Sequence, residues 1–392
     1  MSASQLNNGI TDKVSFFADP RRSNVLELYQ DVDEISISPV ITEMLNLVPN
    51  FFAVLNGNRQ IISVNFSFLS FLGIENSADL LGLRLGEAIK CNYSDEMPAG
   101  CGTSKICSSC KMAMSIISAL DDNKSEESYC TIITTKNGNI MEYFFSVKAT
   151  RIFLSKKKYI LIFLNEISEQ QKKAYIENIF SRDINNLINL LNKNIKHLGE
   201  KPSELEFYCN KIIRITSLVN NELKYLKVLY NEQNSSYETS HDTVLIRQLF
   251  DGIKEILAEY KELSGKKLTI NYPEDKIHLE SDEVLVLRIL IHMLLNGFEH
   301  CSPQSEVKLW VEKNEDYIEF KVWNDFYIPE EIAIRIFQKY FTTYDSIGRG
   351  IGTYFMKYFG ENILGGKVDF STSKIKGTTF SFILPSKKIP KN

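Results

Sequence analysis

Four of the seven cysteines crowd into one short segment, CNYSDEMPAGCGTSKICSSC, where Cys91, Cys101, Cys107 and Cys110 are spaced C-x9-C-x5-C-x2-C. Four thiolates ending in a C-x2-C step, set among Gly, Ser, Asp and Lys, suit a tetrahedral Zn²⁺ or an iron–sulfur cluster better than an apolar core. The first histidine of the chain is His197, so a mixed Cys and His site within this domain is excluded. A shared metal centre at these four residues is expected, and the spacing leaves zinc and iron–sulfur both open. Cys130, Cys209 and Cys301 are scattered elsewhere.

A second place where residue type decides chemistry is IENIFSRDINNLINLL, residues 176–191. Ile176, Phe180, Ile184, Leu187 and Leu191 recur at steps of three and four, which puts one apolar stripe on a helix. Arg182 and Asp183 fall off that stripe, on the outer face. A guanidinium stays protonated at physiological pH and offers only donors, so Arg182 cannot act as a nucleophile. His197, fifteen residues beyond Arg182, reads as a helix-end residue that favours the dipole.

The chain that must position these residues has 392 residues, 44% of them hydrophobic and 24% charged, enough for two or three domains. Its 45 Lys and Arg against 49 Asp and Glu give a net charge of -4, with no basic block suited to nucleic-acid phosphates. The longest apolar runs, YILIFL at 159–164 and VLVLRILIHMLL at 284–295, are too short or too interrupted to span a bilayer of about 30 Å. No secretory leader is visible at the N-terminus. A cytoplasmic protein with reduced thiols, binding neither nucleic acid nor membrane, is expected.

Residues 50–64 read as strand, Asn-Gly turn, strand; a helical stretch and the cysteine segment follow, then three strand-like runs from Ser128. Residues 1–39 read as a leader, and 168–231 as a helical hairpin broken near Gly199, Lys201 and Pro202. In its second arm Leu205, Tyr208, Ile212, Ile215, Val219, Leu226 and Leu229 form a coiled-coil-like seam. Two such stripes exceed what one hairpin can bury, so a homodimer completing a four-helix bundle is expected. A polar linker at 232–242 leads to alternating helices and strands over 243–388, read as helices layered on a mixed sheet. The fold class is therefore α+β and multidomain.

The order of elements over 40–167, closing on NEIS, resembles a PAS sensory domain. Over about 245–386, three stretches resemble the ATP-binding domain of the histidine-kinase and GHKL superfamily. LRILIHMLLNGFEHC is similar to the magnesium-ligating helix, which places Asn296 at the Mg²⁺ position, with Glu299 and His300 following. VWNDFYIPEEIAIRIFQKYFTT resembles the adenine motif and lid, with Asn324 or Asp325 as the acceptor for the adenine amino group. GRGIGTYFMKYFGENILGG resembles the glycine-rich phosphate loop, carried by Gly348, Arg349, Gly350, Gly352 and Thr353. The segment EMPAGCGTSKICSSC after LLGLRLGEAIKC, together with SFFADPRRS, resembles a subgroup of bacterial PAS-containing sensor kinases.

Departures accompany this resemblance. The family's adenine motif has glycines two and four residues after its Asp, whereas Phe326 and Ile328 stand there, and His292 replaces an earlier Asn of the magnesium helix. FSRDINN resembles the phosphoacceptor motif with Arg182 in the histidine position and Asp183 retained. The resemblance implies a homodimeric sensor of the two-component type that binds ATP and Mg²⁺, is degenerate in autophosphorylation, and works with a response regulator or partner histidine kinase. It leaves open a non-enzymatic pseudokinase scaffold and a GHKL kinase acting on Ser or Thr.

Overall fold

The computed structural model describes residues 15–122, 127–136, 138–200, 202–230, 239–240, 242–257, 265–274, 276–302, 304–343 and 350–386. The chain divides into two compact units. The first comprises Met1–Glu169 with Glu330–Arg335 and Tyr340–Asp345; the second comprises Gln170–Pro329, Ile336–Lys339 and Ser346–Asn392.

In the first unit, α1 (Val25–Ser36) and α2 (Pro39–Leu47) precede β1 (Phe51–Asn56) and β2 (Ile61–Val64). Next come α3 (Phe66–Leu72), α4 (Leu85–Ala88), α5 (Lys111–Asp122), β3 (Glu127–Lys136), β4 (Asn139–Leu154) and β5 (Lys157–Glu166). The strands form one antiparallel sheet in the order β2-β1-β5-β4-β3. Phe68, Leu85, Met112, Ile116, Phe145 and Leu164 lie in one core, and Ile35, Ile41, Phe52 and Tyr159 in another.

Local chemistry fixes these elements. Asn24 and Glu27 form a reciprocal capping box that starts α1, inside the stretch read as a leader. Asp31 and Glu34 of that helix accept from the Tyr159 hydroxyl of β5, both at 2.9 Å, which holds α1 to the sheet. Asn65 caps α3 and also donates to the Val48 and Asn50 carbonyls. In the turn between β1 and β2 the left-handed residue is Arg59, at φ 66°, and not the glycine of the Asn-Gly pair. Asn56 makes this tolerable by accepting from the backbone N–H groups of Asn58 and Gln60, a side-chain substitute for turn hydrogen bonds.

The second unit opens with the hairpin of α6 (Glu169–Glu200) and α7 (Leu205–Tyr230). It continues through β6 (Asp242–Leu245), α8 (Ile246–Leu257), β7 (Lys267–Ile270), β8 (His278–Ser281), α9 (Glu283–His300), β9 (Glu306–Lys313) and β10 (Tyr317–Asn324). After α10 (Glu330–Ala333), which is counted with the first unit, come α11 (Gly352–Lys357), β11 (Lys367–Ser373) and β12 (Gly377–Pro385). The main sheet runs β11-β12-β10-β9-β7, antiparallel except for the β7–β9 pair, so it is mixed as expected. Ile318, Phe320, Val322 and Asn324 are buried at every second position of β10, the strand period that turns one face to α9. Asp282 caps α9 by accepting from Leu285 N–H at 3.0 Å.

Ile176, Phe180 and Leu187 of the α6 stripe are buried. Leu187, Leu190 and Ile215 pack with Leu191 and Val219 inside the hairpin. Phe180 is covered differently, by the Phe355 ring 5.7 Å away and by the Arg288 guanidinium 4.7 Å above its ring. Ile188, Ile195, Leu205, Phe207 and Ile213 remain exposed on the hairpin. No described helix is long and apolar enough to cross a membrane.

Candidate functional site

Two side chains on neighbouring elements leave polar atoms unsatisfied. Asn324, at the end of β10 and 6% exposed, donates from Nδ2 to the Gly297 carbonyl of α9 at 3.1 Å. Its Oδ1 is buried without a hydrogen-bond partner, as is Nδ2 of Asn296, the residue before Gly297. A buried amide atom left unpaired costs about 1–3 kcal/mol, so the pair is poised for a ligand that offers a donor to Asn324. Glycines allow this close arrangement. A Cβ on Gly297 would stand 3.2 Å from Val307 and 3.6 Å from Asn324 Nδ2, and one on Gly377, at φ 71°, would collide with the Asn324 carbonyl.

The alternative acceptor, Asp325, is exposed, with Oδ1 3.4 Å from Ser302 N–H. Asn324 is therefore the inward residue. Glu299 and His300 lie half-buried on the last turn of α9, where Phe326, in place of a glycine, stacks on His300 with centroids 5.2 Å apart. Gly352 starts α11 beside His292, whose Nδ1 lies 3.7 Å from where a Cβ would stand, and His292 is one turn before Asn296 on α9. Thr353 donates its hydroxyl to the Ile336 carbonyl, and Gly350 has φ 91°. Gly348 and Arg349 lie outside the described residues. The structure thus brings Asn296, Gly297, Asn324, His292 and Gly352 to one region.

The cysteine segment is built around Arg84, 1% exposed. Its guanidinium donates to the carbonyls of Ala99 and Cys101, both at 3.1 Å, and of Asp19, Pro20 and Arg21, while Nε reaches Asn58. Burial among these carbonyls pulls its pKa down to about 10. Glu87 adds a second anchor, accepting from Cys101 N–H at 3.0 Å and from the Arg22 side chain. Residues 16 and 18 pair by backbone with Thr103 and Gly102, so the chain before α1 straps the loop down. Gly86 leaves room for Cys101, whose sulfur stands 2.6 Å from where a Cβ would be.

The sulfurs do not converge as expected. Among the described residues, which include Cys91, Cys101, Cys107 and Cys110, no three His, Cys, Asp or Glu side chains form a group that could hold a metal ion. Cys107 instead accepts from Gly102 N–H and the Ser104 hydroxyl, each at 3.3 Å. Cys91 is tied by backbone to Thr134 of β3, and burial pushes its thiol up to about 12. Cys110, at the start of α5, faces Cys130 of β3 across 3.7 Å. Cys130 was not among the expected ligands.

Residues 281–388 match the sequence profile of histidine kinase-, DNA gyrase B-, and HSP90-like ATPases. The second unit carries a histidine-kinase-like ATPase domain. Among curated proteins the chain is similar to the heme sensor protein HssS of Staphylococcus epidermidis, 23% identical over 188 residues, covering 47% of this chain and 41% of that protein. It is also similar to a probable C4-dicarboxylate sensor kinase of Halalkalibacterium halodurans, 26% identical over 194 residues, covering 46% of this chain and 36% of that one. The chain thus spans about two fifths of the length of these relatives. Among solved structures, histidine kinase ThkA in complex with response regulator protein TrrA aligns over 88% of this chain and 98% of that one, at 17% identity and a TM-score of 0.35.

In this ATPase domain the unpaired Asn324 and Asn296 fall inside the matched residues. Arg182 and Asp183 lie on α6, but their side chains are outside the described residues, as are those of Leu226 and Leu229. His197, near the end of α6, is held by Glu200 at 3.4 Å and stacks on Tyr208, as a helix-end residue should. Arg84, Glu87 and Cys130 were missed by sequence reasoning. A charged residue inside the apolar run LLGLRLGEAI was the one available signal for Arg84.

Proposed function

We propose that the chain is a cytoplasmic, dimeric sensor of the two-component type whose ATPase domain binds Mg-ATP. The observation that carries this is the buried, unpaired Oδ1 of Asn324, oriented by the Gly297 carbonyl as an acceptor for the exocyclic amine of adenine. Asn296 would supply an amide oxygen to Mg²⁺, a hard cation that is often held by few protein groups plus phosphates, and the ion would neutralise phosphate charge. Glu299 and His300 border the site, and the stretch with Gly350, Gly352 and Thr353 would approach the phosphates.

The two-strand, helical-middle, three-strand order of the first unit supports a PAS-type sensory role for residues 40–167. The exposed Ile188, Ile195 and Ile213 support a homodimer through the hairpin at 168–231. Arg182 in the acceptor position supports a protein that does not phosphorylate itself and acts with a response regulator or partner kinase. Fluorescent ATP binding to the full chain, with and without Mg²⁺ and in Asn324→Ala, tests the nucleotide reading; equal binding by the variant would sink it.

A metal ion or iron–sulfur cluster at Cys91, Cys101, Cys107 and Cys110 is the second reading of the sensor. The N–H and hydroxyl groups donating to the Cys107 sulfur are of the kind that orient and support a metal-bound sulfur. The sulfurs would have to draw together, and metal and sulfide analysis of anaerobically purified protein tests it.

A further inference from the structure

Cys110 and Cys130 are separated by twenty residues in sequence, yet their sulfurs stand 3.7 Å apart. Cys110 is half-buried and immediately precedes the twelve-residue helix α5, while Cys130 is 2% exposed in the middle of β3, paired with Phe145 of β4. Cys110 is thus the less enclosed residue of the two and Cys130 the more enclosed. A disulfide needs about 2.05 Å between sulfurs, so closure calls for a small inward movement at the start of α5. By contrast, Cys107 of the C-x2-C step spends its sulfur on Gly102 and Ser104. Within the same unit, the Arg335 guanidinium donates to the carbonyls of Ser109 at 2.9 Å and Thr131 at 3.2 Å, the residue before Cys110 and the residue after Cys130. It bridges the two chain segments that bear the thiols.

We propose that Cys110 and Cys130 form a redox-active dithiol that a hydroperoxide converts to a disulfide. The Cys110 sulfur attacks one peroxide oxygen, the O–O bond breaks, and with hydrogen peroxide one water leaves, giving a sulfenic acid at Cys110. The Cys130 sulfur then attacks the Cys110 sulfur, the S–O bond breaks, and a second water carries away the Cys130 proton. Two thiols lose two electrons in total and one hydrogen peroxide becomes two waters. Closure narrows the span held by Arg335, so the disulfide alters the seat of that guanidinium. The chemistry goes beyond the nucleotide reading and does not depend on it.

The test uses the full chain, reduced, freed of reductant and treated with stoichiometric hydrogen peroxide, then alkylated, denatured and digested with trypsin. Denatured thiols should fall from seven to five. The peptides ICSSCK (106–111) and SEESYCTIITTK (125–136) should appear cross-linked, with fragmentation placing the bond on Cys110. The link should persist in Cys107→Ser and vanish in Cys130→Ser. A Cys107–Cys110 bond within ICSSCK, or sulfinic acid at Cys110 with Cys130 still free, would overturn the proposal. So would a stoichiometric metal that must be removed before any link forms. The wild-type map stands even if Cys130→Ser folds poorly, and ATP binding measured on the same samples judges the nucleotide reading separately.

Discussion

The Asn324 amide donates to the Gly297 carbonyl at 3.1 Å and thereby fixes which way its oxygen faces. A carboxylate at 324 could accept from the same ligand donor but would meet the Gly297 carbonyl with like charge. The orientation gives a selectivity: an amine on the base satisfies Oδ1, whereas a carbonyl at that position leaves two acceptors opposed. ATP should bind at least about tenfold more tightly than GTP, because a site built around one buried hydrogen bond rejects a ligand that cannot make it. Competition of the two against fluorescent ATP checks this.

Arg84 is the only described side chain joined to carbonyls of residues 19, 20, 21, 58, 99 and 101 together. Hydrogen bonds from a charged donor are worth about 1.5–3 kcal/mol each and are not additive, so Arg84→Met should destabilise the first unit by about 3 kcal/mol or more. Arg84→Lys should not rescue it, since one ammonium cannot span that fan of acceptors. Urea unfolding, with proteolysis at residues 92–105 as a local readout, measures both.

Glu306 predicts an acid limb. The Thr269 hydroxyl first, and then Lys308 and Lys267, hold its carboxyl at about 2 against an ordinary 4.5, tying edge strand β7 to β9. A carboxyl depressed in the folded state adds stability that is complete above its unfolded value and is lost as pH falls toward the folded one. The melting temperature should therefore fall between pH 4.5 and 2, and Glu306→Gln should lower it at pH 7 while flattening that limb. An identical limb in the variant would rule Glu306 out as its source.

Periodicity made much of this fold legible. The α6 stripe, the β9–β10 turn built on Asn314, and the β11–β12 hairpin all follow from local pattern. What local pattern could not show was which surface covers each apolar residue. Phe180 meets Phe355 and Arg288, far along the chain, so part of the stripe is satisfied without a second copy. The cysteines show the same limit, because C-x2-C spacing describes chain distance while the close pair, Cys110 and Cys130, is made by packing α5 on the sheet.

That distinction decides where a dimer test belongs. Val219 packs with Leu187, Leu190 and Ile215 inside the hairpin, so a charge there would unfold it. Ile195→Lys with Ile213→Lys changes exposed positions instead and should give a folded monomer by sedimentation, with the circular dichroism of the wild type retained. A wild type that is already monomeric at micromolar concentration would refute the dimer.

Arg182 poses the sharpest chemical question, because a guanidinium cannot accept a phosphoryl group where the resembled family carries histidine. The purified chain with Mg-ATP should therefore bind nucleotide yet show no acid-labile label. Arg182→His would place an imidazole beside Asp183, which could orient it and support attack on the γ-phosphorus. Label gained in that variant would identify a competent domain lacking only its own acceptor, and would favour transfer to a partner's histidine in a mixed dimer. The structure argues for at most weak label, since Phe326 stands on His300 where the resembled motif has a glycine. Binding without label in either protein would favour a scaffold, and acid-stable label on a second protein would favour a Ser/Thr kinase. Strong acid-labile label in the unmodified chain, mapped to any of its five histidines, would show that the acceptor is not at 182.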